Sequence, residues 1–189
     1  HPFYQIYWNE GKLNREIIKD YAEQYYQHVK AFPRYISATH SICEDIEKRR
    51  ILLENLQDEE NKDGDHPKLW KNFAKALGAD DKKIENAKLD WFTKDMIDNF
   101  FAQARKSYAE GLASLYTYER QIPEIAETKI QGLKKFYGVN SKEGLEFFEA
   151  HKSADVIHRA ECEKLLDGLS KEEQKLSLIH ISEPTRRST

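Results

Sequence analysis

The sequence predicts an all-α protein, a single bundle of long helices, and three observations carry that prediction. Charged residues make up 33% of the 189-residue chain while Gly (8) and Pro (5) are few, the balance of helices with solvated outer faces. Apolar residues recur at helical spacing through most segments, and the two-residue alternation of a half-buried strand persists nowhere. Stop and turn signals such as "KDGD" and "ALGADD" fall between the periodic stretches, with no internal repeat and no low-complexity linker.

Asn14 is a good N-cap for the first long helix, with Glu16 favourable in its first turn. That helix runs toward Phe32, where Pro33 bends or breaks it. A second helix is expected through "YISATHSICEDIEKRRILLENLQDEEN", with Ile42, Ile46, Leu53 and Leu56 on its inner stripe. After the "KDGD" turn, His66-Pro67 opens a third helix that stops near Gly78. The next helix runs from "DWFTKD" to about Arg120, and its partner from around Ile122-Pro123 to Gly138. Ser141 caps the last clear helix, with Glu143 and Glu146 near its start.

Both ends of the chain depart from this pattern. It begins at His1, without methionine, already in the helical pattern "HPFYQIYW". Leu176 to Arg186 matches the translation of a common transposase sequencing adaptor. Residues 1–175 are therefore taken as one domain truncated at both ends, and 176–189 as a non-native adaptor-derived tail that removes His180 from consideration as a ligand.

A net charge of −3 offers no basic footprint for nucleic acid or an anionic membrane. No apolar run approaches a membrane span, and no secretory signal is present. Cys43 and Cys162 sit in helical patterns, as expected of buried reduced thiols in a cytoplasmic protein. Nothing specifies the oligomeric state; a homodimer and a further protein partner are both compatible with the sequence.

One stretch, "HKSADVIH", conflicts with a purely structural role. His151, Asp155 and His158 are spaced i, i+4, i+7 and fall within roughly 60° of one another on a helix. Their stripe continues through Phe148 on one side and Cys162, Leu165 and Leu169 on the other, so it is the stripe a helix would bury. Glu119 follows Leu112, Leu115 and Tyr116 at helical spacing, and Glu59 follows Leu52 and Leu56 in the same way. His66 lies just past the turn after Glu59. Singly, each has an ordinary explanation: Glu59 as a surface carboxylate of "QDEEN", Glu119 paired with Arg or Lys, His66 as an N-cap, His151 or His158 as a hydrogen-bonded core histidine. Together, three carboxylates and three imidazoles on buried stripes are very unfavourable without compensation. A dinuclear centre compensates, its two divalent ions facing three carboxylates with neutral imidazoles completing the shells. Mixed imidazole and carboxylate ligands suit iron or manganese better than a structural zinc. The Glu-x-x-His pairs of ferritin-like sites are absent, which points to a different arrangement of helices.

At these residues the sequence resembles the haem-oxygenase-like dimetal oxidases of the thiaminase II and pyrroloquinoline-quinone-synthase-like superfamily, including a chlamydial branch associated with death domains. "DYAEQYYQHVKAFPRYISATHS", "LLENLQDEEN", "LYTYERQIPEIAETKIQGL" and "ADVIHRAE" carry the likeness, which covers most of His1 to about Leu169. The family pattern is a Glu, a His seven residues later, a Glu just after a Tyr, and His-x3-Asp-x2-His. It falls here on Glu59, His66, Glu119 after Tyr118, and His151, Asp155 and His158.

The resemblance implies a haem-oxygenase-like helical bundle with two divalent ions, Fe/Fe or Mn/Fe, using molecular oxygen and an external reductant. It further implies synthesis of para-aminobenzoate, a folate precursor, with one of the protein's own tyrosines as carbon source and a lysine as amino donor. These roles fall on Tyr4 of "HPFY" and Lys129 of "AETKI". One extra residue before Trp8 lets Tyr7 compete with Tyr4, and Phe147 stands where the chlamydial branch has a tyrosine. Tyr21, Tyr25 and Tyr118 are expected near the cavity. Without the resemblance, Lys129 reads as a solvated helix lysine and Tyr4 as a core aromatic. The alternatives are a dimetal oxidase acting on an external amino acid or fatty acid, and a death-domain-type interaction protein.

Overall fold

In a computed structural model the described residues are 3–182; the side chains of residues 5, 153–155 and 177–182 lie outside the description. A π-helical turn, Phe3–Trp8, precedes nine helices among the described residues: α1 (Arg15–Ser41), α2 (Ile46–Glu59), α3 (His66–Ala76), α4 (Asp81–Glu85), α5 (Trp91–Lys106), α6 (Tyr108–Glu119), α7 (Ile122–Phe136), α8 (Lys142–Asp167) and α9 (Lys171–Ser182). No strand occurs among them, in line with the all-α expectation. None of these helices is long and apolar enough to cross a membrane.

Asn14 caps α1 by accepting from the Ile17 amide at 2.8 Å, and Ser141 caps α8 through the Gly144 amide. Gly138, at φ +67°, supplies the left-handed residue that separates α7 from α8. Asp65, not His66, caps α3 by accepting from the Lys68 amide, which leaves the His66 ring to turn inward.

Several boundaries differ from expectation. Pro33 does not end α1, which runs through it for 27 residues. The missing amide costs about 3 kcal/mol. Burying Phe32, Tyr35 and Ile36 on the same helix, at roughly 1.5–3 kcal/mol each, offsets that cost. The chain breaks instead after Ser41, and Asp45 restarts it by accepting from the amides of Glu47 and Lys48. A restart resets the helical phase, so the expected inner stripe of α2 is wrong. Ile42, Ile46 and Leu53 are exposed and Leu56 half-buried, while Leu52, Asn55 and Glu59 form the buried face. The expected helix up to Arg120 is two, divided at Ser107, whose extended backbone and mutual capping with Glu110 start α6 afresh. The helices α4 and α9 add to the expected set; α9 packs on α6 and extends into the segment matching the adaptor.

Two apolar clusters result. One joins Trp8, the N-terminal half of α1, α3, α7 and the start of α8, around Trp70, Phe73, Leu133 and Phe148. The other joins the C-terminal half of α1 to α2, α5, α6 and the end of α8, around Tyr35, Leu52, Leu115 and Leu165. The helices α1 and α8 run through both. Along α8, Phe147 and Phe148 belong to the first cluster and Cys162 and Leu165 to the second, so His151 and His158 occupy the stretch between them. The π-helical turn is held close to α7: a Cβ at Gly132 would lie 2.6 Å from Trp8 Nε1, a position only glycine allows.

Candidate metal centre

His151 is 4% exposed, and its Nδ1 donates to the Phe147 carbonyl one turn back at 2.7 Å. That bond fixes the proton on Nδ1 and leaves the Nε2 lone pair for another partner. Burial, helped by repulsion from His66 and His158, holds the ring well below the ordinary imidazole pKa, so it is neutral.

Glu59 closes α2 and His66 opens α3, so the intervening turn folds their side chains together. Glu59 Oε2 lies 2.8 Å from His66 Nδ1, and the His66 and His151 rings are 4.2 Å apart between centroids. One ligand atom each from Glu59, His66 and His151 falls within 4.8 Å of the others, and all three residues are buried. A buried carboxylate beside two imidazoles, one with its tautomer set by a backbone carbonyl, fits a divalent ion of the iron or manganese type.

Glu119 and His158 are also buried, at 1% and 2% exposure, with further partners. Glu119 Oε1 accepts from Asn55 Nδ2 at 2.8 Å and Oε2 from Cys162 Sγ at 3.4 Å. His158 Nε2 lies 3.0 Å from Asp58 Oδ2. The Asp155 side chain lies outside the described residues. Thus three of the six expected ligands converge, and two more are buried on the facing helices α6 and α8. Asn55 and Asp58 escaped the sequence reading, and Cys162 was read only as a buried thiol on the α8 stripe; Asn55, one turn before Glu59, carried a signal, as a polar residue on the face of Leu52.

Lys129 is not a solvated lysine: it is 7% exposed. Its Nζ donates to the Tyr21 hydroxyl at 2.8 Å and lies 4.9 Å from the centre of the Tyr4 ring. The rings of Trp8, Tyr21, Tyr25, Trp70 and Phe148 stand within 6.0 Å of it. Burial lowers its pKa to about 7. Tyr4 donates to the Tyr21 hydroxyl at 3.4 Å, and burial raises its phenol. Tyr7 is 48% exposed. The Tyr118 hydroxyl accepts from that of Tyr25 at 3.1 Å. A small cavity bordered by Tyr25, Tyr118, Lys129, Phe147 and His151 joins the lysine to the imidazole.

Several known proteins are similar to this chain. The 4-aminobenzoate synthase of Chlamydia muridarum is 42% identical over 187 residues, covering 98% of this chain and 79% of that protein. The 4-aminobenzoate synthase of Nitrosomonas europaea is 41% identical over 191 residues, covering 94% and 77%. A TenA homologue from Pseudomonas syringae pv. tomato has the same fold, with a TM-score of 0.80 at 17% identity over 96% of this chain and 79% of that one. The family described as "Iron-containing redox enzyme" matches residues 19–181. With that match spanning most of the bundle, and with buried imidazoles and a carboxylate converging inside it, the chain belongs to this haem-oxygenase-like family of iron-containing redox enzymes.

Proposed function

We propose that this protein is a 4-aminobenzoate synthase, an oxygen-dependent dimetal oxidase that takes the carbon skeleton of para-aminobenzoate from its own Tyr4 and the nitrogen from Lys129. Relatives at 41–42% identity over nearly the whole chain carry that name. The observation that carries the internal-substrate reading is the Lys129 Nζ, buried 4.9 Å from the Tyr4 ring and bordering a cavity that reaches His151.

Glu59, His66 and His151 would hold one ion and Glu119, Asp155 and His158 the other, with iron at both positions or manganese beside iron. The bound pair supplies reductive activation of molecular oxygen, with electrons from an external reductant. The protein's own groups do the rest. His151 stays neutral and aimed by the Phe147 carbonyl. With its pKa lowered to about 7, Lys129 carries a free amine lone pair in a large fraction of molecules near neutral pH, as an amino donor needs. Tyr21 fixes both reacting side chains, accepting from Lys129 and from Tyr4. The surrounding rings exclude water from the amine and the phenol. Tyr7, 48% exposed, is the poorer candidate for the sacrificed residue. Both cysteines are buried and outside any disulfide, in keeping with a cytoplasmic, reducing setting.

Mass spectrometry decides the matter after anaerobic loading with Fe(II), addition of reductant and exposure to oxygen. The expected result is at most one 4-aminobenzoate per chain, with the ring lost from the peptide that contains Tyr4 and the nitrogen from the peptide that contains Lys129. Tyr4→Phe should make none and Tyr7→Phe the usual amount. An unmodified chain that turns over many equivalents of an added substrate overturns the reading.

A further inference from the structure

We infer that Asn55 positions Glu119 for a metal while Cys162 holds only the unloaded carboxylate, and that Oε2 is the oxygen this carboxylate presents; the inference rests on the dimetal reading of the site. Glu119 is the last residue of α6, where the helix dipole disfavours a negative charge, and it is 1% exposed. Donors from two other helices meet it there. Asn55 of α2 donates from Nδ2 to Oε1 at 2.8 Å, and Cys162 of α8 donates from Sγ to Oε2 at 3.4 Å.

Asn55 has little reason to be where it is except for this contact. It is 3% exposed, on the same face as Leu52, and its Oδ1 has no hydrogen-bond partner among the described residues. An apolar residue at 55 would continue that face without burying an unsatisfied carbonyl. The amide therefore weakens the core at one atom and gains only through its donor.

The two grips are unequal. An amide N–H at 2.8 Å is a strong donor to a carboxylate, whereas a thiol at 3.4 Å is a weak one. An incoming cation can displace the thiol at small cost while Asn55 keeps the carboxylate oriented. Oε1 is thus the anchored oxygen and Oε2 the exchangeable one. Cys162, one turn beyond His158 on α8, holds the carboxylate in place until that exchange.

Anaerobic Fe(II) titration, followed by near-infrared circular dichroism and Mössbauer spectra, tests this on the full chain. Asn55→Ala should bind the second equivalent of iron roughly 10–100-fold more weakly and change the spectrum of one iron only. Asn55→Leu keeps the volume, carries the same expectation and serves if the alanine variant does not fold. Cys162→Ala should bind both equivalents within about threefold of the parent, because its contact is given up on loading. Parent-like titration and spectra in a folded Asn55 variant overturn the inference, as does loss of the second iron in Cys162→Ala as severe as in Asn55→Ala. A parent chain that takes up fewer than two irons sinks the dimetal reading itself, and the inference with it.

Discussion

The two halves of the candidate centre are held in different ways. Glu59, His66 and His151 converge on one another, with one ligand atom from each inside 4.8 Å and the His151 tautomer set by a backbone carbonyl. Among the described contacts, Glu119 and His158 also meet neighbours outside the ligand set: Asn55 and Cys162 for the carboxylate, Asp58 for the imidazole. The first half is preorganised by its own members. The second has supports from outside the ligand set, some of which must let go when an ion arrives. Two equivalents of Fe(II) should therefore bind with unequal affinity, the Glu59–His66–His151 half filling first.

The largest expected effect breaks that half. His151→Ala should weaken the tighter equivalent at least about 100-fold in anaerobic titration, since it removes a ligand rather than a ligand's support. His158→Ala should spare that equivalent and lose the weaker one. If both variants lose the same equivalent, the halves are not distinct.

The next effect separates the metal end of the cavity from the amine end. Lys129→Met should bind both irons as the parent does yet yield no 4-aminobenzoate by chromatography. It should also be more stable near neutral pH. The folded-state pKa of Lys129 is lowered to about 7 from an ordinary 10.5, so between those values the unfolded chain holds a proton that the folded chain lacks. The parent's stability therefore rises with pH across that window. The advantage of Lys129→Met is full below pH 7, at a few kcal/mol at most given about 1.4 kcal/mol per pKa unit and partial offset from the ring faces, and is gone near pH 10.5. Thermal melts at pH 6.5 and 9.5 measure it; a pH-independent difference would mean the ammonium is not disfavoured by the fold.

The smallest effect concerns Asp58, which is 59% exposed where it meets His158. Asp58→Asn keeps a side chain of the same shape, and an exposed contact contributes little. Affinity for the second equivalent should change by no more than about threefold. A larger loss would make Asp58 a support as important to its half as the Phe147 carbonyl is to the other.

What could be read from the sequence follows from how local each signal is. Glu59, Glu119, His151 and His158 stood out because charged or titratable groups fell on apolar stripes, and spacing within one helix is a local property. The all-α class was legible for the same reason. The phase of α2 was not, because the restart at Asp45 competes with an equally plausible continuous helix from Tyr35 through Asp45. The burial of Lys129 was not legible either. Its cage takes Tyr4 and Trp8 from the π-helical turn, Tyr21 and Tyr25 from α1, Trp70 from α3 and Phe148 from α8. No pattern along α7 reports that convergence; only the resemblance pointed at this lysine. Asn55 and Cys162 were missed because their meaning depends on a carboxylate from a third helix.

The close seat of Trp8 against Gly132 has a consequence for the fate of a used molecule. Tyr4 belongs to the short π-helical turn, while the two apolar clusters that hold the bundle together are centred elsewhere and the first of them anchors that turn through Trp8. A chain that has given up the Tyr4 ring keeps this anchor and both clusters, so it should remain folded and metal-loaded. On the proposed use of Tyr4 as carbon source, the spent protein would behave like a fired cartridge whose casing outlives its charge. Output of the product would then be limited by how many chains the cell synthesises rather than by how fast each one works, and intact, silent copies should accumulate alongside fresh ones.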